Sequence, residues 1–116
     1  MQEVLEKNLY GPAVLPGPVT WKQLTELSAS DAHTDSIFLV GARWLDASGT
    51  HGQEVHAEDP DIDPIELLTC GLLVRINRQA VTLALEVGED GLFRQTSTQL
   101  RRNIKALLLL GAVPRP

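Results

Sequence analysis

The side chains of this chain best suited to chemistry crowd into one stretch: His51, Glu54, His56, Glu58, Asp59, Asp61 and Asp63. Imidazoles and carboxylates at such short spacing can ligate a divalent cation. That makes His51, Glu54 and His56 the candidate metal ligands and a metal-dependent activity one alternative reading. The spacing fits no metal motif, however. It is not His-Glu-x-x-His on a helix, and it lacks the glycine and terminal glutamate of an EF-hand loop, so a solvated acidic loop without metal or other cofactor is expected. Ser48, His51 and Asp46 could supply a nucleophile, a base and an orienting carboxylate. All three sit in one loop with no strained elbow and no oxyanion site, so the chain is read as non-enzymatic, with no catalytic residue. His33, beside Asp35, is read as exposed. Cys70 is read as a small hydrophobe on the inward row of a strand.

A second set is basic. From Arg94 onward the chain carries five cations and no acid, whereas from Asp46 to Glu66 it carries seven carboxylates and no lysine or arginine. Arg94, Arg101, Arg102 and Lys105, with Phe93 stacking on a base, would suit a nucleic-acid-binding small barrel. A net charge of −5 and few aromatic residues disfavour that alternative, because neutralising phosphates calls for a positive surface. The leading reading is instead a contact with protein, through these cations and through the apolar residues Leu9, Tyr10, Val14 and Leu15 of an N-terminal arm.

These residues must be positioned by a modest scaffold. A chain of 116 residues, 43% hydrophobic and 22% charged, has the size and composition of one globular domain with a single core. Its longest apolar run, residues 106–110, is far too short to span a bilayer, and no secretory signal pattern opens the sequence. The lone cysteine excludes an internal disulfide and fits a reducing, cytoplasmic setting.

Residues 1–18, rich in glycine and proline, are expected to form an extended arm, residues 19–110 the domain and residues 111–116 a tail. Thr20 with Gln23 forms a capping box, and Val19 with Leu24 a hydrophobic staple. They predict a helix over residues 21–29 whose Trp21, Leu24 and Leu27 face the core. The spacing predicts a strand over residues 36–46 with Phe38, Val40, Ala42 and Trp44 on one face. Ile37 and Leu39 lie on the other, where the helix is expected to pack, and Gly41 marks a possible bulge.

After the acidic loop, Asp63 and Pro64 would start a single turn carrying Ile65, Leu67 and Leu68 onto the core. Cys70, Leu72, Val74 and Ile76 then alternate with polar or small residues, and beyond a turn at Asn77, Arg78 and Gln79 so do Val81, Leu83, Leu85 and Val87. A turn at residues 88–91, a polar edge-like strand at 92–98, a kink at 99–102 and a last strand at 103–110 complete the pattern. The predicted fold is therefore mainly β: a small five-stranded antiparallel SH3-like or Sm-like barrel with one short N-terminal helix and an extended arm.

The strand end Trp44-Leu45-Asp46-Ala47, the acidic loop, the strand with Cys70, Gly71 and Leu73, the hairpin and the kinked last strand resemble a loosely defined group of small uncharacterised proteins of bacteriophages and actinobacteria. The likeness covers residues 36–110. The chain departs from it at the kink, with Gln99-Leu100-Arg101 where the group tends to have Ile-Pro-Arg. The resemblance implies a small β barrel and a phage or prophage source, and it supplies no activity. The function expected is a non-enzymatic protein-interaction or assembly module, self-associating or bound to another protein, and not a membrane component.

Overall fold

A computed structural model describes residues 16–30, 35–46 and 65–116. Leu9, Tyr10, Val14 and Leu15 of the arm, His33, and the loop residues Ser48, His51, Glu54 and His56 lie outside the described residues. In chain order the elements are β1 (Gly17–Val19), α1 (Trp21–Ser28), β2 (Ser36–Asp46), β3 (Ile65–Ile76), β4 (Ala80–Val87), β5 (Phe93–Leu100), a 3-10 turn (Arg101–Asn103) and β6 (Ile104–Pro114). The strands form one six-stranded sheet in the order β1-β6-β2-β3-β4-β5, antiparallel at every pairing.

The sixth strand, beyond the five expected, is β1. Gly17 and Pro18 belong to the sheet rather than to an arm, and they pair with Leu109 and Leu108. Proline is excluded from a central strand because it cannot donate to the ladder, but β1 is an edge, where that loss is harmless. The C-terminal boundary moves as well. Gly111, Ala112 and Val113 are strand, pairing with Leu39, Phe38 and Ile37, so the expected tail begins only after Pro114. The extra residues that interrupt the β2–β6 register are Leu110 and Lys105 on β6; Gly41 itself is regularly paired.

Helix α1 begins as its sequence dictates. Thr20 Oγ1 accepts from the Gln23 amide at 3.0 Å and Gln23 Oε1 from the Thr20 amide at 2.9 Å, so two donors of the first turn are satisfied reciprocally. Leu24 is fully buried and joins Phe38, Val40, Ala42, Leu73, Val81, Leu83, Leu107 and Leu109 in one core, with Val19, Trp21 and Leu27 packed against it. The helix therefore covers the Phe38 face of β2 and not the Ile37 face. Apolar rows from four strands meet on the Phe38 face, so far more apolar area leaves water there. Trp21 fixes the seat of the helix by donating Nε1–H to the Asn77 carbonyl at 2.8 Å.

Strand β3 departs most from the expected pattern. It starts at Ile65, and Ile65, Leu67 and Leu68 are exposed, not carried into the core by a turn. Its inward row is Gly71 and Leu73, while Cys70 is exposed, the reverse of the expected phase. Ile76 nonetheless packs against the core as expected. One residue reconciles the two: Leu73 pairs with Leu83 and Arg75 with Thr82, so Val74 is an unpaired extra residue that switches the parity of the side chains. An alternating reading that is right at Ile76 must then be wrong at Cys70.

The same strand bends the sheet. Its residues from Ile65 to Leu72 pair with β2, and those from Leu72 to Ile76 pair with β4, so the two ladders share only Leu72. The 3-10 turn requires the bend. Leu100 and Ile104 are four Cα steps apart and so separated by at most roughly 14 Å. In a flat sheet β5 and β6, four strand spacings apart in the strand order, would be separated by roughly 19 Å. The sheet must therefore curl until its β5 side approaches β6. Among the described strands it does not close: β1 and β5 are free edges.

The β4–β5 turn has Gly91 at φ +80°, a left-handed conformation that a side chain would strain. Asp90 accepts from the Leu92 amide at 3.0 Å and pairs with Arg94 at 2.8 Å. These two interactions, the amide first, hold its carboxyl below the usual carboxylate range. Because the folded value is the lower one, the turn gains stability from Asp90 above about pH 4 and loses it as the pH falls through the folded value. In an NMR titration the Leu92 amide shift should report a midpoint below that of an unstructured aspartate. Asp90→Asn should abolish that transition, and a midpoint at the ordinary value would contradict the geometry.

Candidate functional site

Two features of the described surface are candidates for work. The first is the outer edge of β5, eight residues long and with no strand beyond it among the described residues. Residues 96–99 (Thr-Ser-Thr-Gln) contain no charge and no proline, the usual guards of an edge. The irregularity is Gln95, at φ +54°, which leaves one pair missing between Ala84–Thr96 and Glu86–Arg94 without shifting the register. The rest of the edge is regular, and the Thr82 and Thr98 hydroxyls meet across the β4–β5 ladder at 2.9 Å.

The second feature is basic and lies where β5 ends. Arg101 is fixed twice: its amide donates to the Gln79 carbonyl at 2.7 Å, and its guanidinium carbon stands 5.2 Å from the centre of the Trp21 ring, within cation–π range. This brings the 3-10 turn onto the β3–β4 turn and the start of α1. A cavity of about 620 Å³ is lined by Arg78, Gln79, Leu100, Arg101 and Arg102. A second, of about 490 Å³, shares Arg78 and Arg101 and adds Trp21, Lys22, Glu26 and Asn77. A third, of about 250 Å³, shares Trp21 and Arg101 and adds Val19, Ile104 and Lys105. The three adjoin at Arg101, which lines each of them, and together make up the groove around it.

Of the cations singled out in the sequence, Arg101, Arg102 and Lys105 line this groove. Arg94 does not. It sits at the far end of β5, bound to Asp90, next to Phe93, which therefore cannot serve a base held near Arg101. Two cations that the sequence reading passed over join the groove, Arg78 from the β3–β4 turn and Lys22 from α1. No spacing rule connects them to Arg101; only the Asn77 side chain offered a hint, since its Oδ1 accepts the Gln79 and Ala80 amides at 2.8 and 3.0 Å and so fixes the turn that carries Arg78.

Some other charges among the described residues are paired elsewhere. Arg43 pairs with Glu66, its Nε 2.7 Å from the carboxylate, on an exposed surface where such a bridge contributes little. Asp46 of the hypothetical Ser-His-Asp set ends β2, while its two partners lie outside the described residues. Among the described residues no group of three His, Cys, Asp or Glu could hold a metal, and no helix is long and apolar enough to cross a membrane.

No protein family model, no curated protein and no solved structure matches this chain.

Proposed function

We propose that the protein is an assembly module built on a small, SH3-like or Sm-like barrel plan, without catalytic activity, and that it joins a second copy of itself by pairing along β5. Three features support the barrel plan: the β6-β2-β3-β4-β5 order, the 3-10 turn that links β5 to β6, and the helix seated on the Phe38 face of the sheet. The observation that carries the assembly reading is the open β5 edge. Regular backbone with no charge or proline over residues 96–99 offers unpaired N–H and C=O groups to another strand, and main-chain hydrogen bonds then supply the affinity. The resemblance to small phage and actinobacterial proteins and the single cysteine support a cytoplasmic module in a phage or prophage context.

The test is light scattering on the full chain across a wide concentration range, beside Ser97→Pro and Thr98→Pro. In a strand, one of two neighbouring N–H groups points toward β4 and the other outward. One proline variant should therefore lose the hairpin, and the other should stay folded by circular dichroism. The expected result is a concentration-dependent oligomer that the folded proline variant reduces to a monomer. A wild-type chain that remains monomeric throughout, or a folded proline variant that associates equally well, would rule the reading out.

A further inference from the structure

We infer that the groove around Arg101 is a binding site for single-stranded nucleic acid, with Lys22, Arg78, Arg101, Arg102 and Lys105 tracking its phosphates. The inference does not depend on assembly, since a single chain supplies the whole groove.

Charge is the first support. The chain has ten lysines and arginines, and five of them line these three adjoining cavities. Among the described residues Lys22, Arg78, Arg102 and Lys105 make no ion pair. Among the described residues, Glu26 is the one carboxylate on the groove's walls. A protein of net charge −5 that gathers half of its cations in one place, four of them without an ion pair among the described residues, has a polarised surface there. A groove walled by one sign of charge concentrates the opposite sign within it.

The kind of polyanion follows from what else the groove offers. An acidic peptide would be held best by main-chain hydrogen bonds, yet three carbonyls of the groove are already engaged. The Asn77 carbonyl accepts from Trp21, the Gln79 carbonyl from the Arg101 amide, and the Arg101 carbonyl from the Ile104 amide. The side chains offer three guanidinium forks, which match phosphate oxygens in pairs, two ammonium groups, and apolar surface at Leu100 and Trp21. Phosphates along a flexible strand need only such side chains, and bases can rest on the apolar surface and on the Arg101 plane without sequence preference.

Fluorescence anisotropy of a labelled oligothymidylate tests this with the full chain. Binding should appear at low salt. With about four phosphates neutralised, raising salt from 50 to 200 mM should weaken it about fifty-fold. Arg78→Glu combined with Arg102→Glu changes two side chains without hydrogen bonds among the described residues, so the fold should persist by circular dichroism while affinity falls at least tenfold. Arg94→Ala, outside the groove, should leave affinity unchanged. Absence of binding at low salt, equal binding by the double variant, or displacement of the oligonucleotide by polyglutamate as readily as by unlabelled oligonucleotide would overturn the proposal, the last in favour of an acidic protein segment.

Discussion

Phe38→Ala is expected to lower stability by about 3–5 kcal/mol, the range for removing a fully buried phenyl ring. The ring is 1% exposed and lies near the start of β2, among residues contributed by α1, β3, β4 and β6. None of these elements can collapse into the gap without leaving the others, because β2 is held on both sides, by β3 and by β6. Domains of this size have about 5–15 kcal/mol in total, so the variant should retain little margin and should melt on the order of 15 °C lower. Phe38→Leu, which keeps most of the volume, should cost far less. Thermal denaturation followed by circular dichroism separates the two. Equal melting temperatures for wild type and Phe38→Ala would mean that Phe38 is not at the centre of the core.

The second large effect is expected from a single methyl group. A Cβ added at Gly71 would lie 2.8 Å from the Ala84 carbonyl oxygen, 3.1 Å from Leu83 Cβ and 3.3 Å from the Ala84 nitrogen. The obstacle is the backbone of β4, which cannot rotate aside as a flexible side chain would. Gly71 sits one residue before Leu72, where β3 passes from β2 to β4, and the close approach there is what lets the strand bend. Gly71→Ala should therefore cost about 1–3 kcal/mol or more, as overpacking does, and should loosen the β3–β4 ladder first. Gly41→Ala is the control. Its Cβ would meet only side chains, at 3.5–3.6 Å, ordinary contact distances. Urea midpoints should fall clearly for the first variant and little for the second; similar midpoints would show that β4 yields at no great cost.

The parts of the fold that could be read from sequence are those governed by near neighbours. The capping box at Thr20 and Gln23, the Asn77 turn and the glycine turn at residues 88–91 all depend on residues within a few positions of one another, and all form where expected. The Phe38 row was legible because Phe38, Val40, Ala42 and Trp44 recur at every second position. β3 was not, since Leu67, Leu68, Cys70, Leu72, Leu73 and Val74 make both rows apolar, and a bulge at Val74 reverses them midway. The face chosen by α1 depends on Leu73, Leu83, Leu107 and Leu109, which converge only in three dimensions. The groove divides in the same way. Arg101, Arg102 and Lys105 are near neighbours in the chain and stood out together. Arg78 and Lys22 reach them only because Trp21 and Arg101 dock on the β3–β4 turn.

The place of β6 between β1 and β2 also governs the order in which the chain can be completed during synthesis. Among the described strands β1 has no partner except β6, although most of the chain separates them, and the inner edge of β2 likewise waits for residues 104–114. The β3-β4-β5 meander consists of neighbouring hairpins and can pair as it leaves the ribosome. The β1 and β2 end cannot, because the loop closure it needs is long-range and slow. Until β6 emerges, Phe38, Val40 and Leu24 have only a partial surface to cover them, and the nascent chain offers apolar strand edges to its surroundings. Translation rate and chaperone supply should therefore affect the yield of folded protein through its last strand more than through any other.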